Sequence, residues 1–237
     1  MAITFSHTFL MRKLHQLTGI VPLGAFFVVH MFTNSKAMLG QDEFNKAVEQ
    51  IHGIPYLLFI EIFGIFLPLV FHSVYGIVIS KEARNNILNY SYGRNWLYVL
   101  QRATGIFLFF FILFHILSLR FGFFGVESVA GNASNAYQIV SGELASVGIL
   151  VLYIAGVVAT SWHLAYGIFL FAVDWGLVIG EKAQSYVLKG CVGLAILLSA
   201  VGINAALSFD KENCGCATIP KASNIEPGKT GGNTSLK

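Results

Sequence analysis

Four histidines are the residues of this sequence whose type and position most directly suggest chemistry. Each lies inside a different long apolar stretch, and they are His30, His72, His115 and His163. An imidazole in the hydrocarbon core of a membrane is costly, so it is kept there only with a partner. Because imidazole is a common metal ligand, the pattern predicts metal binding inside a membrane. Hydrogen-bonded packing is the alternative for any one of these histidines taken alone.

The composition is that of an integral membrane protein. Of the 237 residues, 55% are hydrophobic and 11% are charged, whereas soluble domains carry about 25% charged residues. A helix needs about 20 apolar residues to cross a bilayer. Five stretches qualify, and they are Leu14–Ser35, Tyr56–Ser80, Trp96–Leu119, Ala145–Val173 and Tyr186–Phe209. We therefore predict an all-α membrane domain of five transmembrane helices over residues 1–209, followed by a polar tail over residues 210–237.

The connections between these stretches differ in character. Residues 42–51 place Phe44, Ala47, Val48 and Ile51 at helical spacing, which predicts a short amphipathic helix at the outer interface. The loop 121–143 is rich in Gly, Ser and Asn, and it is predicted to be irregular. No basic cluster with interleaved aromatic residues stands clear of the membrane, so a nucleic-acid partner is not expected.

Basic residues beside the spans predict the orientation, because they accumulate on the cytoplasmic side. With the N-terminus inside, the inner side carries Arg12, Lys13, Lys81, Arg84, Arg94, Arg102, Lys182 and Lys189. The outer loops carry only Lys36, Lys46 and Arg120. Five spans then put the C-terminus outside.

Depth within the membrane decides which histidines could share a metal. Helices rise about 1.5 Å per residue, so the distance in sequence to a charged flank gives the depth. Counting in this way puts His30 and His115 near the outer face and His72 and His163 nearer the inner face. The counts predict two ligand pairs at two levels. The alternative pairs each histidine with that of the next span, His30 with His72 and His115 with His163.

The ligand types restrict the kind of metal group. Two imidazoles alone cannot complete a tetrahedral zinc site, and Glu61 is the only acid or thiol at either depth. A haem brings four ring nitrogens and needs only two axial ligands. Two axial imidazoles leave no open position on the iron, which favours electron transfer. The residues thus predict two bis-histidine haems, and a transporter that uses the histidines without haem is the rival interpretation.

Two short repeats accompany the histidines. The pattern His-x-x-Tyr-Gly occurs at 72–76 and 163–167, and Thr-Gly-Ile occurs at 18–20 and 104–106. The chain therefore resembles a duplicated two-helix unit. Gly19 lies about 16 Å deeper than His30 on the same helix face, where a missing side chain would give space to a macrocycle at the inner level. Ordinary small-residue helix packing is the alternative.

Three stretches resemble a known family, the cytochrome b membrane subunits of dihaem succinate:quinone oxidoreductases. They are Asn89–Ile106 followed by His115, Arg12–Ile20 followed by His30, and Glu61–His72. The resemblance covers about residues 10–207. It implies a bacterial cytoplasmic-membrane anchor for a flavoprotein that oxidises succinate and an iron–sulfur protein.

The resemblance also implies an electron path and residue roles. Electrons would pass through an inner haem b held by His72 and His163, then an outer haem b held by His30 and His115, to a quinone, usually menaquinone. No dicarboxylate site is expected on this chain. Related complexes run as fumarate reductases, and some of those carry Glu where this chain has Ser161, a difference that favours succinate oxidation. Dihaem subunits of hydrogenase, formate or nitrate enzymes are a further alternative.

Other polar residues give weaker predictions. Cations at the inner end could contact haem propionates, and they are Arg12, Lys13, Arg94 and Arg102. Glu61 lies about 16 Å outward of His72 on the same face, where it could exchange a proton with a quinone; a solvated first-turn residue is the alternative. Glu49 and His52 are weaker candidates for that pocket. His7 and His15 are expected to be solvated, Cys191 to be a packing residue, and Cys214 with Cys216 to carry little signal.

Overall fold

The structure is a computed structural model that describes residues 7–83 and 86–209, and every regular element in these ranges is helical. The α-helices are α1 (His7–Thr18), α2 (Ala25–Ser35), α3 (Gln41–His52), α4 (Leu57–Ile60), α5 (Leu67–Glu82), α6 (Gly93–His115), α7 (Ala136–Leu144), α8 (Val147–Asp174) and α9 (Glu181–Leu207). Short 3-10 helices cover Lys36–Leu39 and Ala133–Asn135. The predicted tail, with Cys214 and Cys216, lies outside the described residues.

The described residues contain five helices long and apolar enough to cross a membrane. They are span one (His7–Leu39), span two (Leu57–Glu82), span three (Gly93–Arg120), span four (Val147–Asp174) and span five (Glu181–Leu207). The predicted all-α fold with five transmembrane helices is therefore confirmed. Each of the five spans begins or ends beyond its predicted apolar stretch, because a helix can continue into the polar interface after its hydrophobic residues end.

Three spans contain a π-helical segment, in which the helix is locally widened. The segments are Gly19–Gly24, Glu61–Phe66 and Ile116–Arg120. Pro22 lies inside the first and Pro68 follows the second, and proline lacks the N–H that a regular α-helix needs at an interior position. The third segment directly follows His115. Widened turns of this kind are frequent at functional sites.

Small residues bring the later spans together. A Cβ on Gly156 would lie 2.2 Å from Cζ of Phe111, so the glycine is what allows α6 and α8 to approach so closely. Further along α8, Cys191 of α9 is 7% exposed and belongs to a cluster with Ala195, Tyr166 and Phe169. The prediction that Cys191 is a packing residue is confirmed.

The end of the bundle that is predicted to be the outer one is closed by α3 and α7. The Asn45 amide donates to the Ser134 carbonyl at 2.6 Å, and its oxygen accepts from the Tyr137 N–H at 2.8 Å. The rings of Phe44, Tyr137 and Phe209 pack together with centres 5.0 to 6.1 Å apart, and we call this group the outer clasp.

Two predictions about the outer loops are affected by these contacts. The amphipathic helix is confirmed as α3, but its buried Phe44 and Val48 pack in a cluster that also contains Tyr137 of α7. The prediction of an irregular loop over 121–143 was wrong in part, because residues from Ala136 onward form α7. Its buried side chains meet those of α3 and Phe209, which offsets the low helix propensity of the surrounding Gly, Ser and Asn residues.

Candidate cofactor sites

The four intramembrane histidines meet in two pairs. The ring centres of His30 and His115 are 5.7 Å apart with ring planes at 82°, and those of His72 and His163 are 6.3 Å apart at 85°. Each pair joins two spans that run in the same direction, one and three or two and four. This proximity agrees with the depth count, whereas haem ligation by these residues stays a prediction.

The separations suit a metal held between two imidazoles. A metal–nitrogen bond of about 2 Å on each side, plus the radius of each ring, puts two such ring centres about 6 Å apart. Within residues 7–83 and 86–209, no group of three or more His, Cys, Asp or Glu side chains could hold a metal ion by itself. A group bound between either pair must therefore bring its remaining ligands with it, as a haem does.

The second ring nitrogen of three histidines is already engaged. The Nδ1 contacts are His72 with the His15 carbonyl at 2.9 Å, His163 with the Thr104 hydroxyl at 3.2 Å, and His115 with the Tyr153 hydroxyl at 3.4 Å. A carbonyl only accepts, so Nδ1 of His72 is the donor and its Nε2 keeps a free lone pair. Metal-binding histidines typically donate their other N–H in this way, which fixes the tautomer and the ring orientation.

Glycines in the Thr-Gly-Ile repeats make room for the inner rings. A Cβ on Gly19 would lie 2.5 Å from Cε1 of His72, and one on Gly105 would lie 3.0 Å from Cε1 of His163. Span one thus receives the inner histidine of span two, and span three receives that of span four. The repeat therefore positions the imidazoles themselves, and a role for Gly19 in accommodating a macrocycle stays a prediction.

A fifth histidine belongs to the inner site, and the prediction that His15 is solvated was wrong. Its ring stacks on His72 with centres 4.1 Å apart and planes at 7°. A Cβ on Gly76 would lie 3.1 Å from Nε2 of His15, so the glycine of the His-x-x-Tyr-Gly pattern faces this ring. The sequence did contain a signal for this contact, because His15 precedes Gly19 by one helical turn and lies on the same helix face.

Glu61, the acidic residue predicted at the depth of the outer histidines, forms an ion pair. Glu61 accepts from the Arg120 guanidinium at 2.6 Å, with side-chain exposures of 16% and 33%. The alternative of a simple solvated Glu61 is therefore wrong, and its role as a proton site stays a prediction. Arg120 was missed as a site residue. It ends the π-helical segment after His115, and the extra residue in that turn changes the direction of every side chain that follows.

Neither of the other two candidates for the outer pocket is a partner in this ion pair. Glu49 is exposed on α3, and Nδ1 of His52 contacts the Val48 carbonyl at 2.9 Å within the same helix.

The inner cations are engaged with groups of the protein or exposed. Arg12 pairs with Glu82 at 3.2 Å, with both side chains more than half exposed, and Lys13 donates to the Asp174 carbonyl at 2.6 Å. The guanidinium of Arg102 donates to the hydroxyl of the residue one turn before it, Tyr98. Arg94 is exposed at the start of α6. Their propionate contacts stay predictions.

Comparisons with known proteins point in one direction. Residues 85–203 match the family described as succinate dehydrogenase/fumarate reductase transmembrane subunit. The succinate dehydrogenase cytochrome b558 subunit of Bacillus subtilis (strain 168) is 37% identical over 201 residues, which cover 85% of this chain and 96% of that protein.

Proposed function

Because the chain belongs to the family of succinate dehydrogenase/fumarate reductase transmembrane subunits, we propose that it carries electrons through two bis-histidine haems to a quinone. The observation that carries the proposal is the meeting of two imidazole pairs between apolar spans, with ring centres 5.7 Å and 6.3 Å apart. A haem iron between two imidazoles supplies one-electron transfer and offers no open position for oxygen chemistry.

In this proposal, four histidines of the chain bind the two haem irons, and neighbouring groups of the protein orient these histidines. His72 and His163 bind the inner haem, and His30 and His115 bind the outer one. The relative from Bacillus subtilis is named a cytochrome b558 subunit, which supports haem b as the type of group bound. The hydrogen bond at Nδ1 already fixes the orientation of the imidazole ring. Its Nε2 can therefore bind the iron without a further loss of side-chain entropy.

The first test is the haem content of the purified complex. We expect a b-type spectrum and two haems per copy of this chain, because each imidazole pair provides two axial ligands. Pyridine haemochrome analysis combined with protein quantification gives the ratio. A ratio of one haem per chain would show that only one of the two histidine pairs binds haem. A complex without haem would favour the transporter interpretation.

The partners follow from the same family membership. A flavoprotein subunit oxidises succinate and an iron–sulfur subunit passes the electrons to the inner haem. Both dock on the inner side, where the loop 81–94 offers a polar surface. The electrons leave the outer haem to a quinone, for which we propose menaquinone. Ser161 in place of an acid favours succinate oxidation over fumarate reduction.

The orientation proposed is N-terminus inside and C-terminus outside, in a bacterial cytoplasmic membrane. Loop charges support it, and it predicts that Cys214 and Cys216 react with a membrane-impermeant thiol reagent in intact cells. Cys191, buried in span five, is the internal control and should stay unlabelled under the same conditions. Labelling of the tail only after the membrane is opened would reverse the orientation and exchange the inner and outer assignments.

For the quinone, we propose a position beside Glu61 and Arg120 at the outer end. The carboxylate can take up a proton and, as the carboxylic acid, donate it to the quinone as the quinone is reduced. The guanidinium 2.6 Å away holds that carboxylate in position. Spans two and three each supply one of the two residues, so their outer ends form the walls of the site.

A conservative substitution separates proton exchange from mere charge pairing. Glu61→Gln is expected to lower quinone reduction by about 100-fold, the lower limit for a positioned proton-transfer group, while both haems remain. Glu61→Asp should restore much of the rate because it restores the acid. Glu43→Gln, at an exposed acid on α3, is the matched control. An unchanged rate in Glu61→Gln would exclude this residue from proton exchange.

A further inference from the structure

The partners of Nδ1 differ in kind between the inner and outer histidines. At the inner level these partners are a backbone carbonyl for His72 and the Thr104 hydroxyl for His163. At the outer level His115 faces the hydroxyl of Tyr153 at 3.4 Å, a long but feasible hydrogen bond. The inner partners are neutral groups, and the Thr104 hydroxyl donates onward to backbone carbonyls of its own helix. The tyrosine hydroxyl, in contrast, lies near the acidic side chain of Glu143.

Tyr153 is held so that its hydroxyl stays at this place. The residue is 8% exposed. Its ring lies edge-on to Phe111, with centres 5.5 Å apart, and edge-on to Phe114 at 6.4 Å. Edge-to-face contacts at these separations are favourable, and the close approach of α6 to α8 leaves the ring little space to turn.

Beyond the tyrosine lies a carboxylate with its own support. The carboxylate of Glu143 on α7 lies within interaction range of the Tyr153 hydroxyl. The Ser118 hydroxyl, which is fully buried, donates to Oε1 of Glu143 at 2.8 Å. Glu143 also lines an outer cleft of about 500 Å³ together with Glu127, Asn135 and Gln138.

We propose that Tyr153 and Glu143 form a hydrogen-bond relay that sets how strongly His115 donates to the outer haem iron; the inference rests on the proposed function. With Nε2 on the iron, Nδ1 carries the hydrogen and donates to the tyrosine oxygen, and the tyrosine O–H donates to the carboxylate. The negative charge strengthens both bonds and gives the imidazole more anionic character. A stronger donor stabilises the ferric state, so the relay makes the outer haem harder to reduce. Both residues are positioning residues.

The test is a redox titration of the haem bands in membranes that contain the whole complex. In Tyr153→Phe, we expect the ratio of reduced to oxidised outer haem at a fixed potential to rise about tenfold, the lower end of the effect that losing a partner of a metal ligand has on metal affinity or activity. For a one-electron couple this is a shift of about 59 mV. The inner haem should keep its midpoint. The low-spin electron paramagnetic resonance signal of the outer haem should move, which a purely structural role would not produce.

Two further variants make the result decisive. Glu143→Gln keeps the shape of the relay and removes its charge, so it should shift the outer midpoint in the same direction, and it replaces Tyr153→Phe if that variant fails to assemble. Tyr166→Phe is the matched control, because this buried tyrosine of the same helix packs on Trp162 and Phe169 and should change neither midpoint.

The outcomes also separate the relay from the function on which it rests. Two intact haems with unchanged midpoints in both Tyr153→Phe and Glu143→Gln would overturn the relay alone. A shift of the inner haem equal to that of the outer one would also overturn it. If the parent complex lacks a second haem component, or keeps it in His115→Ala, the ligand assignment of the proposed function has failed instead.

Discussion

Replacing His30 or His115 by alanine is expected to abolish the same haem component and to reduce quinone reduction to the background rate. The two rings lie 5.7 Å apart, so either substitution removes one of the two axial ligands of a single iron. The damaged site should become high-spin or empty, while the inner haem keeps its low-spin signal and its own redox transition. Potentiometric titration of the two spectral components in each variant measures the effect.

The controls for this prediction are histidines at the two levels. His72→Ala and His163→Ala should affect the inner component together and leave the outer one. His52→Ala should change neither, because the His52 ring contacts a carbonyl of its own helix. Loss of different components in His30→Ala and His115→Ala would instead support ligation within consecutive spans.

Gly19→Ala is expected to remove or displace the inner haem although it adds only one methyl group. The new Cβ would lie 2.5 Å from Cε1 of His72, and the ring cannot turn away without breaking its bond to the His15 carbonyl. Overpacking a site of this kind costs about 1–3 kcal/mol. The measurement is the inner haem content of membranes with equal amounts of the subunit.

The glycines of other spans provide a graded series for comparison. Gly105→Ala should have a smaller effect, because its Cβ would lie 3.0 Å from Cε1 of His163. Gly193→Ala has nothing within 4 Å of the added carbon and gains about 1 kcal/mol of helix propensity, so it should bind both haems normally. Equal haem loss in Gly19→Ala and Gly193→Ala would show that helix propensity, not contact with His72, governs the site.

Features that depend on one helix at a time could be predicted from the sequence. Hydropathy located the five spans, and the constant helix rise was enough to put His30 at the level of His115 and His72 at the level of His163. These arguments use only distance along a regular helix, and they do not require knowledge of how the helices pack.

Features that depend on contact between distant segments could not be predicted in this way. His15 is close to the inner end, where solvent is the default, and only the packing of span one on span two shows its ring against His72. The pairing of Glu61 with Arg120 depends on a widened turn that has no proline to signal it. The relay from His115 through Tyr153 to Glu143 joins three helices, so no spacing in the sequence reveals it.

The outer clasp imposes an order on biosynthesis. Translation delivers Phe44 and Tyr137 before Phe209, although the three rings pack on one another. The Tyr137 hydroxyl donates to the carbonyl of Ser208, and the Ser141 hydroxyl donates to that of Phe209. A nascent chain therefore carries α3 and α7 without their common partner until the fifth span has been synthesised to its end. We therefore expect the end of the bundle that is proposed to face outward to be completed only after the fifth span has been inserted, and a polypeptide truncated just before Ser208 should lack both hydrogen bonds.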